Sequence, residues 1–88
     1  MPVRVVDNRD ELRYEAWVGE QLAGYIRYTI EDDVVTMVHT DVEPAFEGEG
    51  VGSELVKGAL DDARERGLTV RPLCPFVADW IRRHPEYA

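Results

Sequence analysis

Apolar and polar residues alternate along the first half of the chain and recur at helical spacing along the second. Val3 to Val6 is a short β-branched run that reads as a first strand, with turn chemistry after it at Asp7-Asn8. From 12 to 18 the period is two: Leu12, Tyr14, Ala16 and Val18 share one face, Arg13, Glu15 and Trp17 the other. Gly19-Glu20 suits a hairpin turn into a third strand, Gln21 to Ile30. A polar turn at Glu31-Asp32-Asp33 leads into Val34 to Thr40, the most β-prone segment of the chain. Beyond it, Val51, Leu55, Val56, Ala59, Leu60 and Ala63 form one helical stripe, with Glu54, Lys57, Asp61, Asp62 and Glu65 toward water. Gly67 supplies a stop, and Arg64 and Arg66 suit the negative end of the helix dipole. Leu68 to Arg71 reads as a fifth strand. Pro75 suits the first position of a short helix over Phe76 to Arg83, which ends before His84-Pro85.

This order predicts an α+β fold: a curved, mainly antiparallel sheet of about five strands, one long helix packed on it and a short C-terminal helix. The long helix joins strands four and five as a crossover, so those two strands are expected to run parallel. At 88 residues and 44% hydrophobic, the chain is expected to form a single domain over 1–88 with its own core.

The formal charge of −8 argues against nucleic-acid binding, which relies on clustered Lys and Arg to neutralise phosphates. It suits cationic or amine partners, and also plain solubility. No run of about 18 apolar residues predicts a membrane span. The N-terminus, with Arg4, Asp7, Arg9 and Asp10, lacks the apolar core of a signal peptide, and Cys74 has no second cysteine to pair with. A cytoplasmic location is the expectation. No Cys/His cluster has metal-ligand spacing, so no metal is expected.

The stretch Val42-Glu43-Pro44-Ala45-Phe46-Glu47-Gly48-Glu49-Gly50-Val51-Gly52-Ser53-Glu54-Leu55 carries the candidate chemistry. Three alternate glycines lead into a helix N-terminus, where unpaired N–H groups and the helix dipole favour a phosphate. A dinucleotide fingerprint would require glycine at 53, where Ser53 stands, and no Gly-Lys-Ser/Thr of a P-loop follows. An isolated case of such glycines is also compatible with a plain strand-to-helix turn.

The same stretch resembles the acetyl-CoA-binding segment of the GNAT N-acetyltransferase superfamily, Val-x-Pro-x-aromatic-x-Gly-x-Gly-Val/Ile-Gly/Ala-x-x-Leu. His39-Thr40-x-Val42, Ala63-Arg64-x-x-Gly67 and the run from Pro72-Leu73-Cys74-Pro75-Phe76 to His84-Pro85-Glu86-Tyr87 resemble one small, single-domain branch of it. The resemblance implies acetyl-CoA as acetyl donor and a primary amine as acceptor: a protein lysine, a peptide or a small polyamine. It implies that the backbone amides of Glu47, Gly48, Glu49, Gly50, Val51, Gly52 and Ser53 cradle the CoA pyrophosphate. Thr40 and Val42 would pair with the pantetheine arm. Glu47 departs from the superfamily, which places a neutral or basic residue there. The chain also lacks the helices that the superfamily inserts between its first two strands, which implies an open acceptor side.

Acetyl transfer requires the amine to lose a proton and the departing thiolate to be accommodated. His39 is one candidate, an imidazole expected on the face of strand four that carries Val35 and Met37. It reads equally as a packed, hydrogen-bonded histidine. Cys74 is the other, at the start of a helix whose dipole favours thiolate. It reads as a nucleophile, as a proton donor, or as a small buried hydrophobe. Two other functions fit the chain: a non-catalytic acyl-CoA-binding module, and a small interaction domain whose glycine loop is only a turn.

Overall fold

The computed structural model describes residues 2–87. Five strands form one sheet in the order β1-β2-β3-β4-β5, with β1 at Arg4–Asn8, β2 at Arg13–Val18, β3 at Gln21–Glu31, β4 at Val34–Val42 and β5 at Thr69–Pro72. Neighbours from β1 to β4 pair antiparallel, and β4 with β5 parallel. The crossover between those last two is α1, Val51–Glu65, and α2, Pro75–Arg83, follows β5. This is the α+β arrangement expected from the hydrophobic pattern. Among the described residues no helix is long and apolar enough to cross a membrane.

Helix α1 buries the predicted stripe, Val51, Leu55, Val56, Ala59, Leu60 and Ala63. It packs on Tyr14, Ala16, Ile26, Tyr28, Val35 and Met37 from the sheet, and Val77 and Trp80 of α2 close the core. The helix ends in a Schellman motif: the Gly67 N–H donates to the Arg64 carbonyl at 3.0 Å and the Leu68 N–H to the Ala63 carbonyl at 2.9 Å.

Two boundaries move for identifiable reasons. Strand β1 continues through Asp7 and Asn8, expected as a turn, because both are anchored. The Tyr28 hydroxyl donates to Asp7 at 2.5 Å, and Asn8 donates to Glu15 at 3.0 Å. The turn falls instead at residues 9–12, where Leu12 has φ 54° and leaves the strand. A tyrosine–carboxylate network then ties the sheet to the end of α1. Tyr14 donates to Asp62 at 2.7 Å, and Arg66 reaches both Asp62 (3.2 Å) and Asp7 (2.7 Å). Burial, followed by these carboxylate neighbours, pushes both tyrosine hydroxyls far above their ordinary pKa. Asp62, expected toward water, and Arg66, expected to answer the helix dipole, are therefore structural contacts.

One close approach controls how deeply α1 sits. A Cβ placed on Gly58 would lie 2.7 Å from Cβ and Cγ2 of Val5. In an open helix, Gly→Ala gains about 1 kcal/mol. Here Gly58→Ala is expected to destabilise by about 1–2 kcal/mol, because overpacking outweighs propensity. Urea midpoints test this, and the double variant Val5→Ala, Gly58→Ala is expected to recover the loss. A higher midpoint for Gly58→Ala alone would show that the contact is not tight.

Candidate active site

The site begins where β4 and β5 part. Their pairing ends at Met37 and Pro72, and the N–H groups of Leu73 and Cys74 then converge on the Met37 carbonyl at 3.0 and 2.9 Å. One residue later β4 is bulged: Tyr28 pairs with Met37 and Arg27 with His39, leaving Val38 unopposed. A bulge shifts the alternation by one. Val35 and Met37 face the core, whereas Val38 and His39 are both exposed. His39 thus lies on the face turned away from α1, its ring 6.3 Å from that of Tyr25. This corrects the expectation that it shares the face of Val35 and Met37. Thr40 is turned back toward the helices.

The register also fixes the backbone. The Glu43 N–H donates to the Ala23 carbonyl at 2.8 Å, so the alternating ladder directs the polar groups of residues 43, 41 and 39 toward β3. Those of Thr40 and Val42 point the other way, into the gap left by β5. That is the orientation expected of a strand end that could pair with an extended amide-bearing arm.

After β4, a single 3₁₀ turn at Pro44–Phe46 buries Phe46 and starts the glycine loop. Gly48 and Gly50 both adopt φ 81°, a left-handed conformation costly for other residues, and neither has an atom within 4 Å of a notional Cβ. Gly52 is glycine for a different reason: a Cβ there would meet Phe76 Cζ at 2.7 Å. Within the loop, the Glu47 N–H donates to Pro44 and the Glu49 N–H to Phe46, both at 3.3 Å. These two amides, expected in the phosphate cradle, are consumed by the turn itself. Among the described residues no protein acceptor takes the N–H groups of Gly48, Gly50, Val51, Gly52 or Ser53 outside the helix ladder. All five residues line one cavity of about 410 Å³, together with Thr40, Val42 and Phe76. Five unpaired amides at the N-terminus of a 15-residue helix fit an anionic diphosphate ester. The fit comes from the backbone, since the charged residues lining this cavity, Asp41 and Glu47, are both acidic.

Cys74 is the N-cap of α2 and is 4% exposed. Its Sγ lies 3.3 Å from Thr40 Oγ1. Burial pushes the thiol pKa up. The Thr40 hydroxyl and the backbone N–H groups of Val77, Phe76 and Thr40 outweigh that effect and hold it below the ordinary value. Cys74 stands behind Thr40, outside the cavity wall, and Thr40 is the group that touches both. Nothing in the sequence marks this contact, which joins residues 34 apart. Nor does it mark the hydrogen bond from Trp80 Nε1 to Ser53 Oγ at 2.8 Å, which holds α2 against the start of α1. Trp80 is buried, stacked on His84 at 3.8 Å and edge-on to Tyr87 at 5.1 Å, so it closes the core.

Residues 13–88 match the protein-family model described as GCN5-related N-acetyl-transferase. Protein NATD1 of Mus musculus is 24% identical over 86 residues, covering 96% of this chain and 78% of that protein. NATD1 of Homo sapiens is 31% identical over 52 residues, 59% of this chain and 46% of that protein. A GCN5-like protein from Staphylococcus aureus, solved by NMR, superimposes with a TM-score of 0.72 at 23% identity, covering 96% of this chain and 82% of that one. Ard1 from Thermoplasma volcanium gives 0.63 at 23% identity, over 90% of this chain and 55% of that one. These two structures share the fold.

The Cys74 environment has a measurable consequence. A thiol pKa lowered by folding stabilises the folded chain above the unfolded thiol pKa, and this contribution fades as pH falls through the folded value. Thiolate absorbance in a pH titration is expected to rise earlier for the folded protein than for the denatured one. Thr40→Val should move the folded titration upward and Thr40→Ser should restore it. Coincident curves for wild type and Thr40→Val would remove the hydroxyl from the account.

Proposed function

The chain belongs to the GCN5-related N-acetyltransferase family, and from that membership we propose that it moves the acetyl group of acetyl-CoA to a primary amine. The observation that carries this reading is the set of five acceptorless amides, at Gly48 and Gly50 to Ser53, lining one cavity with the backbone edge of β4 at Val42. Bound there, acetyl-CoA supplies an acetyl group activated as a thioester.

The chain's own residues then divide the work. The amides of Gly48, Gly50, Val51, Gly52 and Ser53 bind the diphosphate, and Val42 orients the pantetheine arm through its backbone. Thr40 sits at the gap between β4 and the start of α2. Its hydroxyl passes the Cys74 proton to the departing sulfur, for which a thiol is a well-matched acid. At 4% exposure behind Thr40, Cys74 is placed to donate a proton rather than to attack as a nucleophile. His39, exposed on the opposite face of β4, receives the proton that the amine loses. The uncovered face of the sheet, with Asp41 and Glu43 exposed nearby, favours a cationic acceptor such as a protein lysine, a peptide or a small polyamine.

Two measurements test the assignment. By calorimetry, Gly50→Ala is expected to weaken acetyl-CoA binding about tenfold, because a left-handed conformation costs a side chain about 1–2 kcal/mol. In steady-state acetylation of an amine panel, Cys74→Ala and Thr40→Val should each lower kcat about 10²-fold, with Thr40→Ser near wild type. His39→Ala should lower kcat near neutral pH and recover toward alkaline pH, where more of the amine is already deprotonated. If acetyl-CoA binds and none of the three substitutions alters the rate, the roles given to these side chains are wrong.

A further inference from the structure

Which donors the site admits follows from where the chain places its charges, and the inference rests on the acetyl-CoA reading above. Diphosphate binding by backbone amides is neutral in net charge and needs no cationic side chain. The charged side chains around the cradle are acidic: Glu47 is on the cavity, with Glu49 and Glu54 exposed beside it. Among the described residues no Lys or Arg lines that cavity. Arg64 and Arg66 stand at the far end of α1, about 20 Å away at 1.5 Å per residue. Lys57 is held by Asp61 at 2.9 Å, Arg13 by Glu15 at 2.7 Å, and Arg82 and Arg83 by Asp79. Arg27 lies over Tyr25, on the opposite face of the sheet.

CoA carries, besides its diphosphate, a 3′-phosphate monoester on the ribose. A dianion carried beside the cradle would meet Glu47 and its acidic neighbours, whose like charge would oppose it. We propose that the site does not recognise the 3′-phosphate, and that acyl thioesters of pantetheine diphosphates lacking it, such as acetyl-dephospho-CoA, serve equally as donors. The reaction is unchanged in its balance. The C–S bond of the thioester breaks, an N–C bond to the amine forms, and the released sulfur takes up a proton equivalent to the one the amine gives up.

Calorimetry with acetyl-CoA and acetyl-dephospho-CoA on the wild-type chain, at low and at high KCl, tests this. The dephospho thioester is expected to bind at low salt at least as tightly as acetyl-CoA. Added salt should tighten acetyl-CoA by about threefold and close the gap, because screening relieves repulsion. A dephospho thioester more than about threefold weaker than acetyl-CoA would overturn the proposal by revealing a clamp for the 3′-phosphate, while leaving the loop as the diphosphate site. Failure of both compounds to bind would overturn the proposal together with the acetyl-CoA reading on which it rests.

Discussion

The hydrogen bonds from Leu73 and Cys74 to the single carbonyl of Met37 are the point at which the sheet opens. Up to that carbonyl, β4 and β5 form an ordinary parallel ladder whose polar groups satisfy one another. Beyond it the chain has turned into α2, and the edge of β4 at Thr40 and Val42 is left facing a gap. The Val38 bulge acts at the same place, turning Thr40 toward the helices and His39 toward the uncovered side. A cavity, a free backbone edge and a division of side chains between two faces all descend from this one interruption.

The second half of the site is built by subtraction. A helix begins with N–H groups that have no partner inside it, and most helices satisfy one with a side-chain cap. Here the N-cap is Gly50, which has no side chain to offer, and the preceding turn uses up only the Glu47 and Glu49 amides. Phe46 below and Phe76 beside Gly52 hold the loop so that its remaining donors stay in the cavity. Water satisfies those donors well enough for folding, and an anion satisfies them better.

Much of this was legible in the chain, for reasons of period. Six apolar residues on one 3.6-residue stripe define α1, and alternation with glycine or acidic turns defines β2 to β4. The glycine loop was legible because backbone geometry leaves its mark on residue type. The face of His39 was not, since a bulge adds one residue to a strand without changing its composition. The loss of the Glu47 and Glu49 amides was hidden likewise: whether a turn bonds to itself depends on dihedral angles that many sequences share. The Thr40–Cys74 contact joins parts of the chain that meet only once the crossover is complete. A threonine in a strand and a cysteine before a proline each look ordinary alone.

The sheet has two borders, five residues of β1 and four of β5. A border strand is a template on which another molecule can crystallise a further row, and long, flat, apolar ones nucleate fibrils. Here one border carries Arg4 and Asp7, and the other ends in Pro72, which has no hydrogen to lend. So abbreviated a template discourages stacking of sheets from molecule to molecule, and it lets so small a chain leave one broad sheet face bare.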